Sequence, residues 1–242
     1  AWAAAASRSA TGGTLLANDP HMTFTAPSIW YLARLELQLG GVIGATVPGI
    51  PSIWSGRSAK LGWGVTTAYV DDQDVVIEQL NPENSEEYLT PTGFKKFQSR
   101  PTIIKIKDEA PVTVTLRWSD NGPILPGSFQ NLRAVTPPGH VAALSSTALS
   151  PSDTTLSASI RLMQSTTVED AVLAGSLHMA PAQNLTVVDQ TKIAMKTIGS
   201  VPNRKTDHQS EGRLPSLGSS VSNHWDGIMP YASNPEFIEP MG

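Results

Sequence analysis

Proline and glycine interrupt this chain at short intervals. Nineteen of each are spread through 242 residues. Proline lacks a backbone donor and glycine is costly inside a helix, so the pattern points away from a helical bundle and towards many short elements joined by turns. Apolar residues make up 40% of the chain, which is enough to bury a core and speaks against disorder. Seventeen Lys and Arg stand against 21 Asp and Glu, for a net charge of −4 with no basic run, and this disfavours nucleic acid as a partner. Cysteine is absent. That removes disulfide frameworks, thiol nucleophiles and cysteine-based metal sites together, while leaving the compartment open. No apolar stretch approaches the roughly 18 residues of a spanning helix, so no membrane partner is expected. The start, Ala1 to Ala6, is too short for a signal peptide and lacks its basic flank.

Strand character dominates the first hundred residues. Trp30 to Leu39 is rich in aromatic and branched residues, and Gly40-Gly41 leads into Val42 to Val47, closed by Pro48-Gly49. A hairpin is expected there. Leu61 to Tyr69 and Asp74 to Leu80 flank Asp71-Asp72-Gln73-Asp74, which the pattern assigns to a connecting loop, where sites tend to lie. Pro82 to Gly93 turns polar. Thr102 to Lys107 and Pro111 to Trp118 alternate with period two across the charged turn Asp108-Glu109, the mark of a solvated hairpin or sheet edge with one buried face. Asp153 to Gln164 and Thr166 to Leu177 carry helical spacing, the second opening with Thr166 or Thr167 near Glu169 as an N-cap. Leu185 to Asp189 and Ile193 to Ile198 return to strand, and the tail from Arg213 onward is loop-like and needs something to pack against. Strands, then helices, then strands, without internal repeats, predict an α+β or layered-sheet protein rather than alternating βαβ units.

Standard catalytic signatures are missing: there is no G-x-S-x-G, S-x-x-K, H-E-x-x-H or Walker loop, and the five histidines are scattered without helical metal spacing. The most informative stretch runs Ser7-Arg8-Ser9-Ala10-Thr11-Gly12-Gly13-Thr14-Leu15-Leu16-Ala17-Asn18-Asp19-Pro20-His21-Met22. Taken alone it reads as a glycine turn, a buried strand and an Asx-Pro turn presenting His21 on the surface. Together with Trp2, it resembles the start of the catalytic β chain in the penicillin acylase family of N-terminal-nucleophile hydrolases. Further matching segments follow in the same order: Pro48-Gly49-Ile50-Pro51, Gly62-Trp63-Gly64-Val65-Thr66-Thr67, Asp71-Asp72-Gln73-Asp74, Asn121-Gly122-Pro123, Ala180-Pro181-Ala182-Gln183-Asn184, Gly199 to Arg204, and Trp225-Asp226-Gly227-Ile228-Met229-Pro230. Each is weak by itself, but the ordered set spans nearly the whole chain.

The resemblance implies an αββα layered sandwich, incomplete in this chain, with residues 1–242 forming a single partial domain. It implies amide hydrolysis through an acyl-serine, with the chain's α-amino group as base. Aligning Trp2 with the family tryptophan sets the nucleophilic serine two positions before Ala1, so this polypeptide on its own is expected to be inactive. The oxyanion would be held by the backbone N–H of Thr67 and the carboxamide of Asn184. His21 would contact the amine or hydroxyl, and Arg204 would orient the amine and Asn184. Met22, Trp54 and Ser55 fall at acyl-pocket positions, which suit an aromatic and a fatty acyl group alike. No cofactor is expected for catalysis, but Asp71, Gln73 and Asp74 match a structural Ca²⁺ loop, with further ligands from elsewhere. The implied partners are an α chain, the remainder of the β chain and a small N-acyl amide substrate, and the implied location is periplasmic or secreted. A noncatalytic β-rich binding or interaction module on the same scaffold is the competing expectation.

Overall fold

A computed structural model describes residues 1–239, which separate into two compact units. The first holds Ala1–Val70, Ser150–Val201 and the chain from Met229 onward, and the second holds Asp71–Leu149 and Pro202–Ile228.

Among the described residues, the main sheet of the first unit has seven strands. Their order is Glu236–Glu239, Ile193–Ile198, Gln183–Val188, Gly62–Thr67, Ser55–Arg57, Gly40–Thr46 and Tyr31–Leu37, antiparallel throughout. The expected hairpin is present, but its turn is Gln38-Leu39 and not the glycine pair. Leu37 pairs with Gly40, which takes φ +109°, a conformation open to glycine, and begins the return strand. Period-two alternation sets Trp63 and Val65 opposite Val187 and Leu185 on one face. That face packs on the helices Thr155–Gln164 and Val168–Ala174 through Leu162, Met163, Val168 and Ala171. Trp63 is 1% exposed, and its indole N–H donates to the Ile53 carbonyl at 3.1 Å, so the largest core side chain leaves no polar atom stranded. The second helix is capped by Thr167, whose hydroxyl accepts from the Asp170 N–H at 3.1 Å, while Glu169 instead pairs with Lys192.

The opposite face shows Gly62 and Gly64. A two-stranded ribbon, Trp2–Ala4 with Leu15–Ala17, lies over it, Leu16 coming against Gly62. Helices thus cover one face and a ribbon the other. The structure is mostly sheet, and the second helical layer of an αββα sandwich is not found among the described residues.

The second unit is built on a sheet whose path runs Gln98–Ile104, Val112–Ser119, Gly122–Leu125, His140–Ser146, Gln73–Asn81, Asn84–Thr90 and Gly93–Lys96, with Ser216–Leu217 parallel to Gln73–Asn81. Gln73 and Asp74 open a strand, so only Asp71 and Asp72 of the acidic group occupy a loop. The strand Asn84–Thr90 arises in the polar stretch Pro82 to Gly93, and Gly93–Lys96 follows at its end, where no strand was expected. Their apolar content is concentrated in buried Tyr88, stacked on Phe97 with ring centroids 4.7 Å apart. The alternating hairpin Gln98–Ser119 does form the sheet edge, but Ile104, Val112 and Leu116 remain exposed on it.

The tail is less loop-like than its composition implied. Pro202–Arg204 pairs with Trp225–Ile228, and Glu236–Glu239 extends the first unit's sheet. Its last residues, 240–242, lie outside the described residues. Among the described residues, no helix is long and apolar enough to cross a membrane.

Candidate functional site

A cavity of about 540 Å³ in the first unit collects the chain's leading residue, Ala1, with His21, Met22, Trp54, Thr67 and Gln183. Four of the residues singled out in the sequence therefore meet beside Ala1. They reach the cavity from three places in the chain: His21 and Met22 from the stretch after the ribbon, Trp54 from the bend before Ser55–Arg57, and Thr67 from the end of Gly62–Thr67.

Ser55 is used elsewhere. Its hydroxyl accepts from the Asn18 carboxamide N–H at 3.0 Å, and it lines a separate cavity with Gly12, Thr14 and Leu16. Gly64 makes this possible, since a Cβ there would stand 2.6 Å from Asn18 Cγ.

The direction of the Thr67 N–H follows from strand register. Thr67 lies opposite Gln183, and the neighbouring bond runs from the Ala68 N–H to the Ala182 carbonyl at 3.2 Å. That bond makes Thr67 and Gln183 a non-hydrogen-bonded pair, in which both N–H groups point away from the partner strand. On the other side, the ladder with Ser55–Arg57 reaches only Trp63. The Thr67 N–H is thereby left outside both ladders, at a residue that lines the cavity.

Asn184 lies on the adjacent strand, opposite Thr66, and is not among the residues lining the cavity. Its Oδ1 accepts from the Thr197 hydroxyl at 2.9 Å, which fixes the carboxamide with the NH₂ as its donor end. His21 is strongly exposed, with Nδ1 3.9 Å from Asp19 Oδ2.

Gln183 and His178 were not singled out in the sequence. Gln183 shares the buried face with Leu185 and Val187, so a polar residue continuing an apolar period-two register was the signal that could have found it. His178 bounds a second, apolar cavity of about 300 Å³, which shares Ile50, Trp54, Val65 and Pro181 with the first. Its Nε2 lies 2.7 Å from the Pro181 carbonyl, and burial pushes the imidazole below its ordinary pKa, against the smaller opposing effects of that carbonyl and Asp153.

The second unit contains the remaining candidates, Asp71, Gln73, Asp74 and Arg204. Arg204 grips Asp74 in a fork, Nε to Oδ2 at 3.1 Å and Nη2 to Oδ1 at 2.8 Å, while both Nη atoms donate to the Asp71 carbonyl at 3.1 Å. The Trp225 indole N–H donates to Asp74 Oδ2 as well. Burial raises the Asp71 carboxyl pKa most strongly, with Asp74 and Asp72 adding to it and Arg204 holding it down. Calcium takes six to eight oxygens at about 2.3–2.6 Å. Here the Asp74 carboxylate and the Asp71 carbonyl are already committed to a guanidinium and an indole, so this donor set does not fit calcium. Among the described residues, no group of three or more His, Cys, Asp or Glu is placed to hold a metal. The guanidinium expected to orient Asn184 is spent on the two aspartates.

The family model for penicillin amidase matches residues 1–242. The acyl-homoserine lactone acylase QuiP of Pseudomonas aeruginosa is 28% identical over 99% of this chain, and that of Pseudomonas fluorescens (strain Pf0-1) is 30% identical over 97%. Penicillin acylase 2 proenzyme of a Pseudomonas species (strain SE83) is 27% identical over 100%. The matches take in 28%, 29% and 30% of those proteins, so the chain spans under a third of their length. A thermostable penicillin G acylase from Alcaligenes faecalis superposes with a TM-score of 0.85 at 20% identity, covering 99% of this chain and 42% of that one, and so shares the fold. The chain belongs to the penicillin amidase family.

Proposed function

We propose that the protein containing this chain hydrolyses an N-acyl amide, of the kind named for its relatives: an acyl-homoserine lactone or a penicillin side-chain amide. The observation that carries the reading is the meeting of Ala1, His21 and Thr67 at one cavity, with the Thr67 N–H outside both strand ladders. In this reading the nucleophile is the serine hydroxyl that the family pattern sets two positions before Ala1. It attacks the acyl carbon, its proton passes to the chain's α-amino group, and the carbonyl oxygen becomes an oxyanion. The Thr67 N–H and the Asn184 NH₂ receive that charge, each donor contributing about 3 kcal/mol of transition-state stabilisation. The α-amino group returns the proton to the departing amine, and water then releases the carboxylic acid from the acyl-serine. His21 tunes the amine, and Met22 and Trp54 contact the acyl group. The reading extends to a partner α chain, further β chain beyond this segment and a periplasmic or secreted location, and it leaves the isolated 242-residue chain without turnover.

The test is hydrolysis of an acyl-homoserine lactone and of a chromogenic phenylacetyl anilide by the protein at native length. Turnover of at least one, with a transient acyl adduct in the intact mass, is expected. No turnover of either, with ligand still bound, would favour the noncatalytic module.

A further inference from the structure

We propose that Arg204 is the resident cation of the acidic segment Asp71–Asp74, and that this segment holds its shape without calcium. The inference is independent of the catalytic reading.

Three features carry it. The first is saturation: Asp74 Oδ2 accepts from Arg204 Nε and Trp225 Nε1, and Oδ1 accepts from Arg204 Nη2, while the Asp71 carbonyl takes both Nη groups. A metal would have to strip these donors before it could take Asp74 or the Asp71 carbonyl as a ligand. The second is charge. Arg204 Nη2 also lies 3.5 Å from Asp71 Oδ2, so one guanidinium is shared between the two carboxylates and offsets the charge of one of them, and a divalent ion placed against it would meet like-charge repulsion from the guanidinium.

The third is closure. The side chains of Asp74 and Arg204 are 3% and 13% exposed, and Gly212, at φ +84°, lies against the pair. A Cβ at that position would stand 2.4 Å from Arg204 Nε and 2.6 Å from Asp74 Oδ1. Glycine is therefore required on two grounds, its backbone conformation and the close approach that seals the pair. Trp225 completes the enclosure, with the guanidinium carbon 6.0 Å from its ring centroid. A planar fork matched to a carboxylate is what arginine supplies and lysine cannot.

The experiment uses the protein at native length. Wild-type melting temperature, measured in millimolar Ca²⁺ and in EGTA, is expected to agree within about 1 °C. Arg204→Ser leaves the buried Asp74 carboxylate without its cation, and its melting temperature should fall by roughly 10 °C. Arg204→Lys keeps the charge but loses the fork, and should melt between the two; it also serves if the serine variant does not fold. Calorimetric titration with Ca²⁺ provides the readout that a merely structural arginine would not move. Binding in the wild type that disappears in Asp74→Asn would overturn the proposal, as would an Arg204→Ser variant that melts with the wild type. Absence of such binding, or binding that survives in Asp74→Asn and so belongs to another site, supports it.

Discussion

Two polar clusters in this chain invite comparison, one in each unit. Around Ala1, His21 and Thr67 the groups are exposed or line a cavity, and a backbone N–H is left outside both strand ladders. Around Asp74, Arg204 and Trp225 the acceptors are engaged and the side chains are enclosed. Both would be marked as functional by residue type alone. The difference lies in unspent hydrogen-bonding capacity: a group can stabilise a developing charge only if the fold has not already paired it. The first cluster keeps hydrogen-bonding capacity free, as the proposed chemistry requires, and the second spends its capacity on holding the backbone.

The sharpest way to break this contrast is to discharge the enclosed cluster. Asp74→Asn should cost about 3–5 kcal/mol of folding stability by leaving Arg204 buried beside a neutral amide, read as a drop in urea midpoint. Loss of activity out of proportion to that drop would mean the cluster also serves the reaction. Asn184→Leu should do the opposite, lowering kcat by about 10²–10³-fold. KM should be nearly unmoved, and the stability cost should be only about 1 kcal/mol from the lost Thr197 bond. Gly64→Ala tests the boundary between Ser55 and the cavity. Displacing Asn18 should cost about 1–3 kcal/mol by overpacking, measurable by chemical denaturation.

The smallest effect concerns His178, a buried group whose capacity is spent on Pro181. Its folded pKa lies below the ordinary 6.5, so the unfolded chain takes up a proton first as the pH falls. Its contribution is fully present above the unfolded value and is lost as the pH drops from there towards the folded one. Stability should therefore decline on the acid side of neutrality, and His178→Asn should flatten that limb in melting curves recorded across it.

Much of this was legible in the residues. The run Ile193–Ile198 is a strand with the bounds its pattern suggested, and the strands ending at Thr67 and opening near Leu185 pair as neighbours in the first sheet. Both helices form, because their apolar spacing and the Thr167 cap are local features. Asn84–Lys96 was hidden because its strands rest on a few aromatic anchors and not on an alternating face. The turn at Gln38-Leu39 was misplaced by two residues, since Gly40-Gly41 serves the strand after the turn. The sequence named the candidate residues but not how they group: His21, Met22, Trp54 and Thr67 line one cavity, Ser55 turns to Asn18, and Arg204 turns to Asp74.

The amino-acid order by itself determined the turn-rich sheet architecture, the helical segment and the ordered motifs that mark the family, because these depend on neighbours a few residues apart. Tertiary structure alone decided which polar groups remain available. Arg204 is claimed by a carboxylate 130 positions away, and the Thr67 N–H is released by a register set across the sheet with Gln183. Saturation of a hydrogen-bonding group is a property of the partners that folding brings to it, and local sequence carries no record of them.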